Sequence, residues 1–148
     1  MRPEADIVLD GLAELANDAW EAYEQAAEWA GTGDLAALLA TLGDRRRAMA
    51  RDLEARVAAT GHRPRDRDTN AGIAHRVLAR LKATFVADRP RAVVDECERA
   101  DTAFAHRLVT ADERLLSDDD VRILRAYHAE VVAALGQLAA AKVRIRGH

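Results

Sequence analysis

Hydrophobic residues recur every three or four positions over long stretches of the chain, which is the period of an amphipathic α-helix. Glycines at Gly31 and Gly61 follow the first two stretches, and Pro90 opens the third, as is typical of helix ends and first turns. The sequence therefore predicts four long helices and one short one, at about residues 4–30, 35–60, 91–116, 118–146 and, for the short helix, 70–85.

The lengths of the helices and of their connections predict the topology. Each long helix has about 26 residues and so extends about 39 Å at 1.5 Å per residue. Short turns make the first and second helices one antiparallel hairpin, and the third and fourth another. The link over residues 62–89 is long enough to run the full length of the bundle. We therefore predict an all-α, ferritin-like four-helix bundle with a short extra helix in its central crossover, as a single domain over residues 1–148.

Composition and charge exclude several classes of function. The formal net charge is −3 and charged residues make up 32% of the chain, without the concentrated basic surface that nucleic-acid binding needs. No apolar segment approaches the roughly 20 residues that span a bilayer. A single cysteine, Cys97, forms no internal disulfide, and the acidic start of the chain does not resemble a secretory signal. We expect a cytoplasmic protein that binds neither nucleic acid nor membrane.

Three segments resemble DUF2383, a family of uncharacterised bacterial proteins placed among the ferritin-like bundles. The resemblance covers nearly the whole chain and implies the fold, but no activity. The segments that carry it are Tyr23-Glu24-Gln25-Ala26-Ala27-Glu28, Arg51-Asp52-Leu53-Glu54 and Val94-Asp95-Glu96-Cys97-Glu98-Arg99-Ala100-Asp101.

A di-iron bundle site needs an inward Glu from each of two helices and Glu-x-x-His from each of the other two. The first helix has no carboxylate on its apolar stripe, and acids such as Asp10 and Glu21 are expected to face water. The second helix has Arg46 and Met49 at the aligned positions, and the fourth has Arg125 in place of the Glu. Two arginines in place of two carboxylates would repel a dication, so we expect no di-iron centre.

The polar residues that remain near mid-bundle are Arg45 or Arg46, Asp101 and His128. If they point inward they must pair, because an unpaired buried charge is too costly. The prediction is a buried cluster of Arg46, Asp101 and His128 in place of the metals. The alternative is that the arginines reach the surface and His128 is a singly hydrogen-bonded core residue.

Two hypotheses for function follow. The preferred one is a non-enzymatic structural, stress-related or partner-binding bundle without a cofactor, in which the stress role is an analogy with the fold. We expect a homodimer through helix faces, marked by Trp20 or Trp29 if either faces outward with Tyr23, or by close approach of a second helix at Gly136; a different protein partner is also compatible. The alternative is an iron- or manganese-binding protein of ferroxidase type that uses Glu98, Asp101 and His128.

Overall fold

The computed structural model describes residues 4–59 and 89–146 of the chain. A one-turn 3₁₀ helix, Glu113–Leu115, precedes the last α-helix. The predicted all-α, four-helix bundle is confirmed for this part of the chain, while the short helix predicted at about 70–85 lies outside it. Within the described residues, no helix is long and apolar enough to cross a membrane. The α-helices are α1 (Glu4–Ala30), α2 (Asp34–Ala58), α3 (Arg89–Thr110) and α4 (Asp118–Arg146).

The third helix is shorter than the periodicity predicts, since α3 ends at Thr110 and not near residue 116. A local side-chain hydrogen bond at Asp112 accompanies the early end. The carboxylate of Asp112 then accepts from the backbone N–H of Arg114 at 3.1 Å and so starts a separate turn.

The other helix ends follow ordinary capping chemistry. Gly31 and Gly33 have φ of 76° and 100°, a positive range that glycine adopts without strain. Gly31 follows the last residue of α1, and Gly33 is the N-cap residue of α2. Asp34 is the first residue of α2. The Ser117 hydroxyl accepts from the backbone N–H of Asp120 at 3.1 Å and so caps the start of α4.

The helices form a ring in which α1 lies beside α2 and α3, and α3 lies beside α4. One apolar cluster joins Leu9 of α1, Leu53 of α2 and Leu124 of α4; a second joins Leu39 of α2 to Leu138 of α4 near the opposite end. Neighbouring helices are therefore antiparallel, and the diagonal pairs, α1 with α4 and α2 with α3, are parallel. The end of α2 and the start of α3 consequently lie at opposite ends of the bundle.

The buried side of α1 is wider than its apolar stripe. Asp6 and Asp10 are both buried, so the expectation that Asp10 faces water was wrong. Each of these carboxylates has a hydrogen-bonding or electrostatic partner, as a buried carboxylate requires. Polarity alone does not predict exposure when such a partner is present.

Candidate functional site

A buried ion pair between α2 and α3 lies between the two apolar clusters. Arg46 on α2 and Asp101 on α3 both have side chains with 0% exposure. The Arg46 Nε donates to Asp101 Oδ1 at 2.7 Å, and Nη2 donates to Oδ2 at 3.0 Å. This two-point geometry is the strong form of an arginine–carboxylate contact. The pair crosses the bundle along its α2–α3 diagonal.

A tyrosine on α1 completes the cluster. The fully buried Tyr23 hydroxyl donates a hydrogen bond to Asp101 Oδ2. The Tyr23 ring also lies beneath the guanidinium of Arg46, with 5.8 Å from Cζ to the ring centroid. One carboxylate therefore receives three hydrogen bonds, two from α2 and one from α1, and three helices are joined at one point.

The cluster keeps Tyr23 and Arg46 in their ordinary protonation states. Burial raises the pKa of the Tyr23 phenol, and the charge and hydrogen bond of Asp101 raise it further. Burial alone would lower the pKa of Arg46, but the hydrogen bond and charge of Asp101 outweigh it, so the pKa of Arg46 is raised. Tyr23 therefore stays a neutral donor and Arg46 stays a cation.

The ion pair is connected to the surface through α4. Glu130 approaches the buried guanidinium of Arg46, with 3.7 Å between Nη1 and Oε2. The same carboxylate accepts from the exposed Arg45, at 3.1 Å from Nε and 2.9 Å from Nη2. The sequence analysis left open whether Arg45 or Arg46 points into the bundle. Arg46 is the one that points inward, and Arg45 points to the surface.

The structure brings together two of the three residues in the predicted cluster. Arg46 and Asp101 are in direct contact, whereas His128 is half-buried on α4 and is not among the described partners of either. Glu130 from the same helix reaches Arg46, and Tyr23 takes the second partner position on Asp101. The inclusion of His128 in the cluster is therefore corrected.

The residues at the centre do not fit the di-metal site of metal-binding bundles. Asp101 is held by a guanidinium cation, which would repel a metal ion at the same point. Glu98 accepts instead from Lys142 Nζ at 2.8 Å. Within residues 4–59 and 89–146, no three histidine, cysteine or acidic side chains are grouped as a metal ion requires, so Glu98, Asp101 and His128 are not assembled into a site.

A second polar group connects α2 to the start of α4. Arg56 lies at 3.0 Å from Asp52, and at 2.9 Å from both Asp119 and Asp120. The Tyr127 hydroxyl donates to Asp52 in the same group. Because α2 and α4 have few close backbone approaches, long polar side chains cross much of the space between them.

One half-buried carboxyl on α1 has a perturbed pKa. Burial raises the pKa of Glu21 from 4.5 to about 7, and the negative charges of Asp18 and Glu24 add to the rise, while Arg47 opposes it. Its Oε2 is buried without a hydrogen-bond partner among the described residues. Glu21 was expected to face water, and its partial burial corrects that expectation.

Tyr23 is the cluster residue that the sequence analysis missed, although a signal for it was present. Leu12, Ala16, Ala19, Tyr23 and Ala26 follow an alternating spacing of four and three, and all are buried. The inward position of Tyr23 also removes it from the predicted outer aromatic surface. Trp20 is half-buried, with the guanidinium of Arg47 4.5 Å above its ring.

The fold and the cluster define a class: a helical bundle with a buried arginine–aspartate–tyrosine group at its centre. The family model described as a domain of unknown function, DUF2383, matches residues 5–113. This match covers more than half of the chain, and the chain belongs to that family. No curated protein and no solved structure matches the chain.

Proposed function

We propose that this chain is a non-enzymatic, ferritin-like structural or partner-binding bundle whose buried cluster fixes the alignment of its helices. The cluster of Tyr23, Arg46 and Asp101 occupies the central position that a di-metal site has in metal-binding bundles. The observation that carries the proposal is the two-point contact between Arg46 and Asp101 with neither side chain exposed.

The energetic reason is that a shift of one helix would break the pair. Sliding α2 by one turn moves Arg46 by about 5.4 Å along the axis, beyond contact with Asp101. Both charges would then be buried without a partner, at a cost of several kcal/mol. Contacts between small apolar side chains alone would make a shift by one turn cost much less free energy. The cluster therefore favours one alignment of the helices over the alignments that are shifted by a turn.

The chemistry of the cluster also supports a structural role. Tyr23 is held as a neutral donor, and Arg46 is held as a cation. Both hydrogen-bonded oxygens of Asp101 are enclosed, so the carboxylate is not available to a substrate. Catalysis by general acid or base requires a group within hydrogen-bond reach of a bound substrate.

The test replaces the charged pair by apolar side chains of similar size, in the double variant Arg46→Met, Asp101→Leu. Such replacements are often neutral or stabilising, so the variant should remain helical. If the cluster fixes alignment, near-UV circular dichroism and the dispersion of the NMR spectrum should decrease while the helix content is kept.

The matched control is Arg45→Met, which changes the neighbouring exposed arginine on the same helix. This control should keep the spectra of the unchanged protein. A double variant with sharp, fully dispersed spectra would contradict the alignment role, since the bundle would then be uniquely packed without the cluster.

The absence of a metal-dependent activity is tested separately, by anaerobic loading with Fe(II), measurement of metal content, and absorbance after exposure to air. The proposal expects no stoichiometric iron and no ferroxidase signal. Two irons per chain with such a signal would favour the alternative of an iron- or manganese-dependent protein and would contradict ours.

We propose further that the bundle acts through its outer surfaces, as a homodimer or with a protein partner. Support comes from large apolar side chains that are exposed on the helices: Ile7, Val109, Val132 and Val143. Two of these, Val132 and Val143, lie on the same helix and the same side, where they mark a candidate surface.

A further inference from the structure

An arginine on α2 connects to α1 through two uncharged side chains. The Nη1 of Arg47 donates to the Oδ1 of Asn17 at 2.8 Å, and the guanidinium lies 4.5 Å above the ring of Trp20. Asn17 is buried, whereas Arg47 and Trp20 are half-buried. Neither contact is an ion pair, because both partners of the cation are neutral.

Glu21 is a neighbour of both partners of Arg47. It follows Trp20 directly and lies four residues after Asn17, and side chains four residues apart are neighbours on the surface of a helix. The Oε2 of Glu21 is buried without a hydrogen-bond partner among the described residues. A carboxylate is unstable at such a position, since burial favours the protonated form of an acid that has no hydrogen-bond donor.

The charged groups that act on Glu21 lie on two helices. Burial raises the pKa of Glu21 from 4.5 to about 7, and the negative charges of Asp18 and Glu24 on its own helix add to the rise. Arg47 on α2 acts in the opposite direction and lowers the pKa. Arg47 is therefore the cation that an ionised Glu21 attracts.

Ionisation of Glu21 changes the acceptor that Arg47 prefers. An ion pair adds Coulomb attraction to the hydrogen bond, which the amide oxygen of Asn17 cannot supply. The contact of a cation with a partly exposed aromatic ring is weak by comparison. Asn17 and Glu21 are one helical turn apart, about 6 Å at 1.5 Å per residue, so rotation of the long side chain of Arg47 is enough for the exchange.

We propose that Glu21 and Arg47 form a pH-dependent switch on the outer surface between α1 and α2. While Glu21 is protonated, Arg47 binds Asn17 and covers the ring of Trp20. When Glu21 is ionised, Arg47 turns to its carboxylate and uncovers the ring. The exposure of an aromatic side chain on this surface thus increases as the pH rises. This goes beyond the proposed function, because it concerns a change at one outer surface and not the buried cluster.

The first test follows the fluorescence of Trp20 against pH in a Trp29→Phe chain, in which Trp20 is the remaining tryptophan. Loss of the guanidinium exposes the ring to water, so the emission should move to longer wavelength as the pH rises, with a midpoint near pH 7. The same chain with Glu21→Gln should keep the shorter wavelength throughout. A chain without a transition, or a transition that Glu21→Gln leaves in place, would overturn the proposal.

Two further variants separate the roles of the charges. Glu24→Gln removes a negative charge near Glu21, so the transition should remain and its midpoint should move to lower pH. Arg47→Met removes the cation, so the emission of Trp20 should stay at the longer wavelength at every pH. A transition of unchanged size in Arg47→Met would show that Trp20 responds to Glu21 without Arg47, and the switch would be refuted.

NMR of the side-chain carboxyl carbon measures the ionisation of Glu21 independently. A midpoint near pH 4.5 would contradict the proposal, since Glu21 would then be ionised at neutral pH while Arg47 contacts Asn17. A midpoint near pH 7 without a change at Trp20 would contradict it as well, because the carboxylate would have turned to solvent. None of these outcomes involves Arg46 or Asp101, so the switch and the alignment role of the cluster stand or fall separately.

Discussion

Removal of the Asp101 carboxylate is the perturbation that tests the buried cluster most directly. In Asp101→Ala, the guanidinium of Arg46 remains at a site without solvent exposure and loses both of its strongest hydrogen bonds. The Tyr23 hydroxyl loses its acceptor at the same time. We expect the variant to be much less stable than the unchanged protein, with its helices intact at low temperature.

The expected magnitude follows from the contacts that are lost. Removing one partner of a buried ion pair costs about 3–5 kcal/mol, because the charge of the other partner is left uncompensated. The nearest remaining acid, Glu130, is 3.7 Å from Arg46 and 40% exposed, so its compensation is worth less than about 1 kcal/mol. We therefore expect Asp101→Ala to lower the free energy of unfolding by about 3–5 kcal/mol. Domains of this size have about 5–15 kcal/mol in total.

The assay is urea unfolding followed by far-UV circular dichroism, with Asp101→Asn as a milder variant that keeps one acceptor oxygen. The Asn variant should lose about half as much as the Ala variant. The matched control is Glu130→Ala, which removes the exposed partner of Arg45 and should cost about 1 kcal/mol or less. A loss below about 1 kcal/mol in Asp101→Ala would refute the reasoning, since a fully buried charge would then have been left unpaired at no cost.

Three further predictions concern other sites. Gly43→Ala should lower stability by about 1 kcal/mol in urea unfolding, because the new Cβ would lie 2.9 Å from Tyr23 Cβ, whereas Gly136→Ala in dilute protein should raise it by up to about 1 kcal/mol. Cys97, buried with its pKa raised by burial, should react with a thiol reagent only as fast as the bundle opens; rapid labelling of the native protein would contradict its burial. Glu21 holds its proton more tightly in the folded state, so its contribution to stability is present below pH 4.5 and is lost as the pH rises through about 7. Glu21→Gln should therefore match the unchanged protein at pH 4 and exceed it by about 1–2 kcal/mol at pH 8, a value reduced for solvent screening; equal stability at both pH values would contradict this.

The periodicity of apolar residues predicted the fold because each described helix has a continuous buried stripe. It could not predict the early end of α3, because Asp112 starts a separate turn through a side-chain hydrogen bond and not through a change in the apolar pattern. It also could not predict the burial of Asp10. A carboxylate is buried when a partner from elsewhere in the fold reaches it, and that partner has no fixed spacing in the sequence.

Part of the candidate site could be predicted from the sequence, because charged residues interrupt the apolar stripes of two helices. Arg46 and Asp101 occupy positions where α2 and α3 should be apolar, and both are buried. His128 interrupts α4 in the same way but is half-buried, and Glu130 from the other side of that helix approaches Arg46 instead. The apolar pattern locates the inward side of a helix only to within about one residue. This is too coarse to decide whether His128 or Glu130 of α4 approaches Arg46 on α2.

The composition of the core explains why a charged pair is useful at its centre. Aromatic residues are 4% of the chain, and the buried side of α1 includes alanines at positions 13, 16, 19, 22 and 26. Small side chains make shallow ridges, so neighbouring helix alignments differ little in apolar burial. A paired Arg46 and Asp101 contribute little net stability over an apolar pair, but one-turn shifts leave both charges buried and unpaired. In the role that we propose, the cluster therefore separates the native alignment from its competitors by several kcal/mol, while the total stability of the bundle changes little.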